Sequence, residues 1–598
     1  MLEDELSRHI WSTKYRHVRP DGSAEASIAE TWRRVAAAVA QAERSGEHEA
    51  AFLDAVTGFK FLPAGRILAG AGTGRRTTLF NCFVMGFIED SIESIFEHLK
   101  QGAITMQCGG GIGVDFSTLR PRGSEAATRG TIASGPVSFM KVWDAMCATL
   151  LSTGARRGAM MGTLRCDHPD IEEFVDAKRD PRALRNFNVS VQVTEELMKA
   201  VEADADWPLC FPADAHDGDG ETKRVRWSGR AFEVPCRIVR RVRARALWQR
   251  IMDAAYDSAE PGVLFVDRIN AVNNLHYCEH ITSTNPCGEI PLPAYGACDL
   301  GSINLAVFVR EPFTRSAALD LEAIERIVPV AVRLLDDVID VSEYPLPQQA
   351  EQARSTRRIG LGITGLGDAL IMLGLHYGSD AARAAARDVL TRIRDAAYRA
   401  SIRLAEEKGP FPKLEREAYL DGEFVRSLPA DIRDGIARAG IRNSHLLAIA
   451  PTGTISLLAN NVSSGIEPVY ALEGERRVLN REGVAETRRT VDFAYALWRR
   501  ERGNAPLPDA FVTAEELSPD AHLEMLAALQ PLVDNSISKT INVAAGIPRD
   551  DFARIYLRAH ALGLKGCTVF RPNPITGAVL SAEPMQGPHC CSIEREGD

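Results

Sequence analysis

A single cysteine lies between an amide and a carboxylate in the segment TSTNPCGEIPLP, residues 282–293. Pro286 and Gly288 disfavour the interior of a helix, so we predict a loop or an extended segment here. In an extended chain residues i, i+2 and i+4 share one face, which would put Asn285, Cys287 and Glu289 side by side.

This spacing favours hydrogen-atom chemistry over nucleophilic chemistry. A carboxylate beside a thiol raises the pKa of the thiol by like-charge repulsion, whereas a cysteine nucleophile needs a cation or a helix N-terminus. A neutral Cys287 thiol suits a reaction in which it gives or takes a hydrogen atom. Glu289 would then take a proton from a substrate hydroxyl, and Asn285 would donate a hydrogen bond to an oxygen. From the spacing alone, a cysteine in a tight turn without chemistry is an equal alternative.

The rest of the chain alternates between predicted strands and helices. The predicted strands are FNCFVMGF, VSVQVTEE, GVLFVD, AIAPTG and CTVFRP, and the predicted helices are SIESIFEHLKQGAITM, ARALWQRIMDAAYDSA and LEAIERIVPVAVRLLDDVIDV. Residues 1–60 are predicted to be helical, 61–76 a Gly-rich connection and 213–230 a polar surface excursion. This alternation predicts a largely parallel α/β architecture.

Composition excludes several classes of protein. The net charge of -10 argues against a bulk nucleic-acid binder. The N-terminus lacks an apolar signal region, and every apolar run is shorter than the roughly 20 residues that span a bilayer, so we expect a cytoplasmic protein without membrane contact. The 12 cysteines contain no CxxC pair, which argues against a structural zinc site.

Longer motifs point to one family. NPCGEIPLP, followed by YGACDLGSINL, resembles the finger loop of ribonucleotide reductases. FNCFVMGFIEDSIESIFEHLKQGA, GGGIGVDFSTLRPRGS, STGARRGAMMGTL, NFNVSVQVT, PGVLFVDRIN and APTGTISLLANNVSSGIEP resemble the family too, in the family's order. The resemblance implies a ten-stranded α/β barrel of two parallel five-stranded halves around a central finger loop. It divides the chain into a helical N-terminal segment (1–78), the barrel (79–576) and a flexible C-terminal redox tail (577–598).

The resemblance also assigns the reaction, which is the reduction of ribonucleotides to deoxyribonucleotides. Cys287 matches the cysteine whose thiyl radical removes the 3′-hydrogen of the ribose, Glu289 the base at the 3′-hydroxyl, and Asn285 its hydrogen-bonding partner. Cys82 and Cys298 match the thiol pair that supplies two electrons. Cys590 and Cys591 match tail thiols that re-reduce this pair and are recharged by thioredoxin or glutaredoxin, although the family's CxxC spacing is absent.

Two nucleotide sites are implied. The residues expected at the substrate are Gly110, Gly111, Thr452, Gly453, Thr454 and Ser456, the last four at the start of a helix whose free N–H groups would hold phosphate; N-capping without a ligand is the alternative. The residues expected at a deoxynucleotide effector are Asp90, Ser91, Arg120, with Arg122 as a possible substitute, and Arg156 or Arg157. The G-x-G-x-x-G of Gly360, Gly362 and Gly365 does not follow an apolar strand, so we interpret it as a close-packed barrel element, not a dinucleotide site.

The radical source is expected to be adenosylcobalamin. LKGCTVFRPNP, 564–574, has Phe570 and no Tyr-Tyr pair for a relay from a second subunit, and EREGD does not match a glycyl-radical site. SISKTINVAAGIP resembles the adenosylcobalamin-dependent class, and the family implies a homodimer. Diphosphates are the expected substrates, with triphosphates left open. The alternatives are the large subunit of a metal-dependent reductase, a catalytically inactive nucleotide-binding regulator and a cysteine hydrolase.

Overall fold

The computed structural model describes residues 2–124, 132–152, 156–213, 220–479 and 485–572. Its centre is a ten-stranded sheet. The strands are β1 Phe61–Pro63, β2 Cys82–Val84, β3 Gly111–Asp115, β4 Met160–Arg165, β5 Phe187–Val193, β6 Gly262–Phe265, β7 Ala297–Asn304, β8 Ile359–Thr364, β9 Thr540–Asn542 and β10 Gly566–Phe570.

Five successive strands of this sheet, β2 to β6, run parallel. The order is β1–β7–β2–β3–β4–β5–β6–β10–β9, and β8 also pairs with β7. The pairs β7/β2 and β6/β10 are antiparallel, whereas β7/β8 and β9/β10 are parallel. The fold is therefore a mixed α/β fold, in which the parallel strands β2 to β6 have an antiparallel neighbour on each side.

Helices cover this sheet and form the N-terminal region. They are α1 Glu5–Ile10, α2 Ile28–Val39, α3 Glu47–Val56, α4 Gly65–Gly70, α5 Ile92–Gln107, α6 Pro136–Thr149, α7 Ile171–Asp176, α8 Glu195–Glu202, α9 Ala244–Ser258, α10 Val266–Ala271, α11 Leu321–Val341, α12 Pro347–Thr356, α13 Leu366–Met372, α14 Asp380–Lys408, α15 Arg416–Asp421, α16 Glu423–Arg426, α17 Ala430–Ala439, α18 Gly453–Leu458, α19 Phe493–Arg502, α20 Pro519–Leu529 and α21 Arg549–Ala561. The helical N-terminal region and the three named helices were predicted correctly.

Helix α11 illustrates why these elements form. Its fully buried residues recur at helical spacing, at Ile324, Val328, Ala331, Leu335 and Val338, and this face packs against β7 and α14. Burying a Val, Leu or Ile side chain is worth about 1.5–3 kcal/mol, so this stripe fixes the helix on the sheet that carries Cys298.

Short strands outside the central sheet pair among themselves. Asp206–Pro212, Thr222–Arg226 and Glu233–Arg243 form a three-stranded sheet, and the two-stranded pairs are Leu151–Ser152 with Arg156–Arg157, Ser283–Thr284 with Pro291–Leu292, Val309–Arg310 with Ala318–Leu319, and Glu473–Leu479 with Ala485–Val491.

Three local predictions were wrong. The surface excursion at 213–230 contains the strand Thr222–Arg226 and the buried Trp227, whose indole N–H donates to the Ser117 carbonyl at 3.1 Å; residues 214–219 lie outside the described part. The Gly-rich connection at 61–76 contains α4 and the edge strand β1, where Pro63 is tolerated. AIAPTG is not a regular strand, because it forms only isolated bridges.

The glycine-rich stretch at 360–365 forms strand β8 and the turn that follows it, with the close packing that was predicted. A Cβ on Gly362 in β8 would lie 2.4 Å from the Ala448 carbonyl oxygen, and Gly365 has a φ of 71°. These glycines therefore serve close packing and a turn. Within the described ranges, every helix is too short or too polar to cross a lipid bilayer.

Candidate active site

The Cys287 segment is a tight turn between two short strands, Ser283–Thr284 and Pro291–Leu292. The Gly288 N–H donates to the Asn285 carbonyl at 3.2 Å. Pro286 suits the second position of such a turn, and Gly288 has a φ of 82°, which favours glycine. Of the two predicted conformations, a loop or an extended segment, the structure has the loop. Cys287 lies on the turn, half-buried, while Asn285 and Glu289 on either side are buried.

The turn runs along strand β3, where two glycines leave room for it. A Cβ on Gly113 would lie 2.0 Å from the Thr284 carbonyl oxygen, and one on Gly111 would lie 3.3 Å from Cγ of Pro286. A real Cβ never approaches a backbone oxygen to 2.0 Å, so only glycine at 113 allows the segment this course.

We expect Gly113→Ala to displace the turn. The added methyl group forces the Thr284 backbone to move, and overpacking of this kind costs about 1–3 kcal/mol of stability. A displacement near 1 Å at a reacting atom costs about 10²-fold in rate. Enzyme assays and thermal unfolding would measure both effects. Gly546→Ala is the matched control, since a Cβ there meets nothing within 4 Å; equal losses in both variants would contradict this account.

The two predicted redox thiols face each other across neighbouring strands. Cys298 of β7 is the register partner of Cys82 of β2. Residues opposite each other in an antiparallel pair have Cβ atoms about 4.5–5.5 Å apart, close to the roughly 3.5–4.5 Å of a disulfide. Both are free thiols and both are buried. The fold thus brings two cysteines that are distant in the chain close enough to form a disulfide on oxidation, after a small movement.

Asn285 connects this thiol pair to the turn. Its side-chain Nδ2 donates to Cys82 Sγ at 3.2 Å. Its Oδ1 accepts hydrogen bonds from the Ile290 N–H at 3.0 Å and from the Thr284 hydroxyl at 3.1 Å. These hydrogen bonds fix the orientation of the Asn285 amide between Cys82 and the two short strands that flank the Cys287 turn.

Glu289 is a buried carboxyl group without a full set of partners. Its backbone carbonyl accepts a hydrogen bond from the Ser536 N–H at 2.9 Å, but its side-chain Oε2 has no partner among the described residues. Burial raises the pKa of Glu289 to about 7, against the opposing effect of a hydrogen bond with Asn285. A group with this pKa takes up and releases protons readily near neutral pH, as a general base must.

Burial and nearby charge keep both redox thiols protonated. Burial, with the Glu289 charge added, raises the pKa of Cys82 well above its ordinary value. Burial and the Asp299 charge do the same to the pKa of Cys298. The like-charge repulsion that the sequence predicted for Cys287 thus acts on Cys82. Neutral thiols are the form that can donate hydrogen.

Arg66 of α4 is a residue that sequence reasoning missed. A Cβ on Gly109 would lie 2.6 Å from its Nη1, so the guanidinium packs directly over the glycine stretch beside β3. The positive charge of Arg66 lowers the pKa of Cys82, whereas the charge of Glu289 raises it. The arginine in FLPAGRIL precedes a Gly-rich run, and that pattern alone does not reveal its partner.

The predicted phosphate residues lie around a buried hydroxyl cluster. Thr452 precedes α18 in a left-handed conformation with a φ of 52°. Its hydroxyl lies 2.9 Å from those of Thr364 and Ser456, and it accepts a hydrogen bond from the Gly465 N–H at 2.9 Å. The helix begins at Gly453, as predicted, and Thr454 is buried within it.

Gly110 and Gly111 lie next to the thiol pair. Gly111 is the register partner of Cys82, and a Cβ on Gly110 would lie 2.6 Å from the ring of Phe83. Packing therefore requires glycine at 110, whereas a Cβ at 111 would only be tight against Pro286.

Three of the predicted effector residues lie together near the start of α5. Asp90 Oδ2 pairs with Arg120 Nε at 2.5 Å and its Oδ1 accepts from the Arg120 N–H at 3.2 Å. The Ser91 hydroxyl caps α5 by accepting from the Ser94 N–H at 3.1 Å. Arg122, the possible substitute, instead pairs with Glu173 and its N–H donates to Asp170.

Other predicted residues are not described. The backbone of Arg156 pairs with Ser152 in a short hairpin, while its side chain lies outside the described part. Cys590 and Cys591 belong to residues 573–598, which also lie outside it.

In the described part of the chain, one group of three carboxylates is close enough to hold a metal ion, namely Asp336, Asp337 and Asp340. Basic side chains already occupy it: Arg357 and Arg442 pair with Asp336, and Lys408 pairs with Asp337. Arg357 also pairs with Asp340 at 2.8 Å. We interpret the group as a buried ion-pair network.

Two family models match the chain. The model described as "Ribonucleotide reductase, barrel domain" matches residues 80–570, and the model described as "Ribonucleotide reductase, all-alpha domain" matches residues 1–76.

Curated relatives match over most of the chain. The "Vitamin B12-dependent ribonucleoside-diphosphate reductase" of Mycobacterium tuberculosis (strain CDC 1551 / Oshkosh) is 39% identical over 585 residues, covering 94% of this chain and 78% of the relative. A protein of the same description from Thermoplasma acidophilum is 38% identical over 556 residues, covering 90% and 67%. A "Ribonucleoside-diphosphate reductase subunit alpha" from Chlamydia pneumoniae is 27% identical over 608 residues, covering 92% and 56%.

Proposed function

The chain belongs to the ribonucleotide reductase family, and we propose on this premise that it reduces ribonucleoside diphosphates to 2′-deoxyribonucleotides with adenosylcobalamin as the radical source. The main support for this proposal is that Cys82 lies opposite Cys298 and that Asn285 connects Cys82 to the Cys287 turn by a hydrogen bond. Oxidoreductase chemistry of this kind supplies precursors for DNA synthesis.

Each site residue then has one task. A thiyl radical at Cys287 removes the 3′-hydrogen of the ribose, while Glu289 takes the proton of the 3′-hydroxyl and Asn285 orients the group by hydrogen bonding. The 2′-hydroxyl leaves as water. Cys82 and Cys298 supply two protons and two electrons and end as a disulfide, so that one C–O bond is exchanged for one C–H bond. The Cys287 thiol finally returns the abstracted hydrogen to C3′, which restores the radical at its sulfur.

The turn suits a bulky cofactor on one side. Cys287 is half-buried although its neighbours Asn285 and Glu289 are buried, and a Cβ on the adjacent Gly288 would meet nothing within 4 Å. Cys287 and Gly288 are thus the residues that would face the group. Adenosylcobalamin, when bound, would supply the radical chemistry that removes the hydrogen atom from the Cys287 thiol.

The nucleotide sites are part of the proposal. Substrate phosphate would bind at the start of α18, at Thr452, Gly453, Thr454 and Ser456, and Gly110 and Gly111 would lie against the nucleotide. The proximity of Gly111 to Cys82 supports this arrangement. A deoxynucleotide effector would bind at Asp90, Ser91 and Arg120, with Arg156 towards the base.

We also propose that the sheet closes into the family's ten-stranded barrel. The Leu361 N–H of β8 donates to the Leu446 carbonyl at 2.8 Å, and the Ile449 N–H donates to the Ser536 carbonyl at 3.1 Å. These bonds connect β8, through segments 445–450 and 536–538, to β9. Two parallel halves would result: β2–β6, and β7, β8, segment 445–450, segment 536–542 and β10. Strand β1 would remain outside the ring.

The remaining assignments rest on the resemblance. The domains would be a helical segment (1–78), the barrel (79–576) and a redox tail (577–598). Cys590 and Cys591 in this tail would reduce the Cys82–Cys298 disulfide and exchange with thioredoxin or glutaredoxin. The chain would act as a homodimer.

The alternative within the family is a large subunit that receives its radical from a second protein. The relative named as such a subunit is 27% identical to the chain, against 39% for a relative named as B12-dependent, and the stretch around Phe570 lacks adjacent tyrosines. An inactive regulator is disfavoured because all five predicted catalytic side chains are present at the site.

We expect the purified chain alone to form deoxynucleotides when supplied with adenosylcobalamin, a dithiol and ribonucleoside diphosphates. Chromatographic product analysis across the four diphosphates and the four triphosphates would measure this. Activity that depends on an added metal-containing subunit would contradict the proposal, and activity confined to triphosphates would contradict its substrate class.

A further inference from the structure

The NFNVSVQVT motif forms β5, a strand of the central sheet with one apolar and one polar face. Its residues Phe187, Val189, Val191 and Val193 are buried apolar side chains at alternate positions. The positions between them carry Asn188, Ser190 and Gln192. Because alternate residues of a strand share a face, β5 presents a row of polar side chains on the other side. Polar groups buried in a sheet need partners.

The partners of this row lie along the Cys287 segment. Asn188 Nδ2 donates to the Pro286 carbonyl oxygen at 2.8 Å. Gln192 Nε2 donates to the Thr163 hydroxyl at 3.2 Å. That hydroxyl lies 3.3 Å from both the Thr282 carbonyl oxygen and the Ser283 hydroxyl. Asn188 therefore contacts the turn directly, whereas Gln192 is connected through Thr163 to residues 282 and 283 at the start of the segment.

The Asn188 contact is made at a sensitive point. The Pro286 carbonyl belongs to the peptide bond that ends at the Cys287 nitrogen, so a rotation of this peptide moves the Cys287 side chain. On the side of β3, Pro286 lies against Gly111. Van der Waals contact with glycine limits approach but does not fix the orientation of a peptide. A directional hydrogen bond does.

We propose that Asn188 is a positioning residue for Cys287, holding the Pro286–Cys287 peptide so that the sulfur keeps a single place in the site. This rests on the proposed function for the role of Cys287, but the contact itself does not. Hydrogen-atom transfer requires close approach of the reacting atoms, and misplacement by about 1 Å costs on the order of 10²-fold. Asn188 acts through the turn and takes no part in the bond changes.

The test uses Asn188→Leu, which keeps the shape and removes the donor, and Asn188→Asp, which places a carboxylate against the Pro286 carbonyl. We expect kcat to fall about 10-fold to 10²-fold in the first variant and further in the second, with KM for the ribonucleotide changed little. Loss of binding would raise KM instead.

A second readout is independent of turnover. The rate of Cys287 alkylation by iodoacetamide in protein without cofactor, measured by mass spectrometry, should change several-fold in both variants, because the turn is no longer held. The rate at the exposed Cys278 should stay constant. This readout remains informative if the wild-type protein fails to reduce ribonucleotides, so failure of the inference is distinguishable from failure of the proposed function.

Asn186→Ala is the matched control. Asn186 lies at the start of the same motif, but its amide bonds to Asp144 of α6 and not to the turn. This variant should lower the unfolding temperature without changing kcat or Cys287 labelling. Wild-type kcat and labelling in Asn188→Leu, or equal losses in the Asn186 control, would overturn the proposal.

Discussion

Cys287→Ser should lower deoxynucleotide formation below detection while leaving the protein folded. Serine preserves the shape of the side chain, but its O–H bond is too strong to exchange hydrogen with a ribose carbon. The turn requires Pro286 and Gly288 and not the sulfur, so we expect the unfolding temperature to stay near that of the wild type. Product analysis with adenosylcobalamin, together with thermal unfolding, would measure both quantities.

Cys278→Ser is the control for this experiment. Cys278 is an exposed cysteine close to the turn in the chain, and it takes no part in the proposed reaction. It should therefore retain full activity. Residual reduction in Cys287→Ser at a rate near that of the wild type would contradict the role of Cys287.

Glu289→Gln should lower kcat by about 10²–10⁴-fold, the usual contribution of a general base. Glutamine keeps the size and the hydrogen bonds of the side chain but cannot take a proton. The sign of the pH dependence follows from burial, which raises the pKa of Glu289 to about 7. Below this pH the carboxyl is protonated and cannot act as a base, so the wild-type kcat/KM should rise with pH through about 7.

In Glu289→Gln this rising limb should disappear, leaving a low rate that is flat on both sides of neutral pH. Glu322→Gln, at an exposed glutamate of α11, should keep both the rate and the pH profile of the wild type. A profile in Glu289→Gln with the wild-type limb intact would mean that another group is the base.

The sequence left the shape of the Cys287 segment open between a loop and an extended chain. In the extended alternative, Asn285, Cys287 and Glu289 would have had all three side chains on one face. The structure has a turn, because Pro286 and Gly288 both favour one and Gly288 adopts a left-handed φ. The two glycines of β3 that admit the turn are far away in sequence, and their effect depends on a backbone contact that no local pattern reveals.

The pairing of Cys82 with Cys298 also depends on a contact between strands that are far apart in the sequence. No spacing rule connects Cys82 to Cys298; only the family resemblance paired them, and the antiparallel β2/β7 register puts them opposite each other. The Glu289 charge, which was expected to act on Cys287, raises the pKa of Cys82 in the fold, a partner that no local spacing gives. The helices were predictable because their 3.6-residue periodicity is local.

The polar row of β5 could have been found from the sequence. NFNVSVQVT alternates apolar residues with Asn188, Ser190 and Gln192 in a strand that lies inside a parallel sheet. Parallel strands are normally apolar on both faces, so a polar face indicates a buried polar partner. What the pattern does not give is the identity of that partner, the Pro286 carbonyl.

The central claim, a radical at the sulfur of Cys287, is tested most directly by electron paramagnetic resonance of turnover samples frozen within milliseconds. Protein labelled with cysteine deuterated at the β-carbon would be mixed with adenosylcobalamin, a dithiol and a ribonucleoside diphosphate. The account predicts a signal that narrows with the deuterated label and is absent in Cys287→Ser. A turnover signal unaffected by the label, or one that persists in Cys287→Ser, would contradict it.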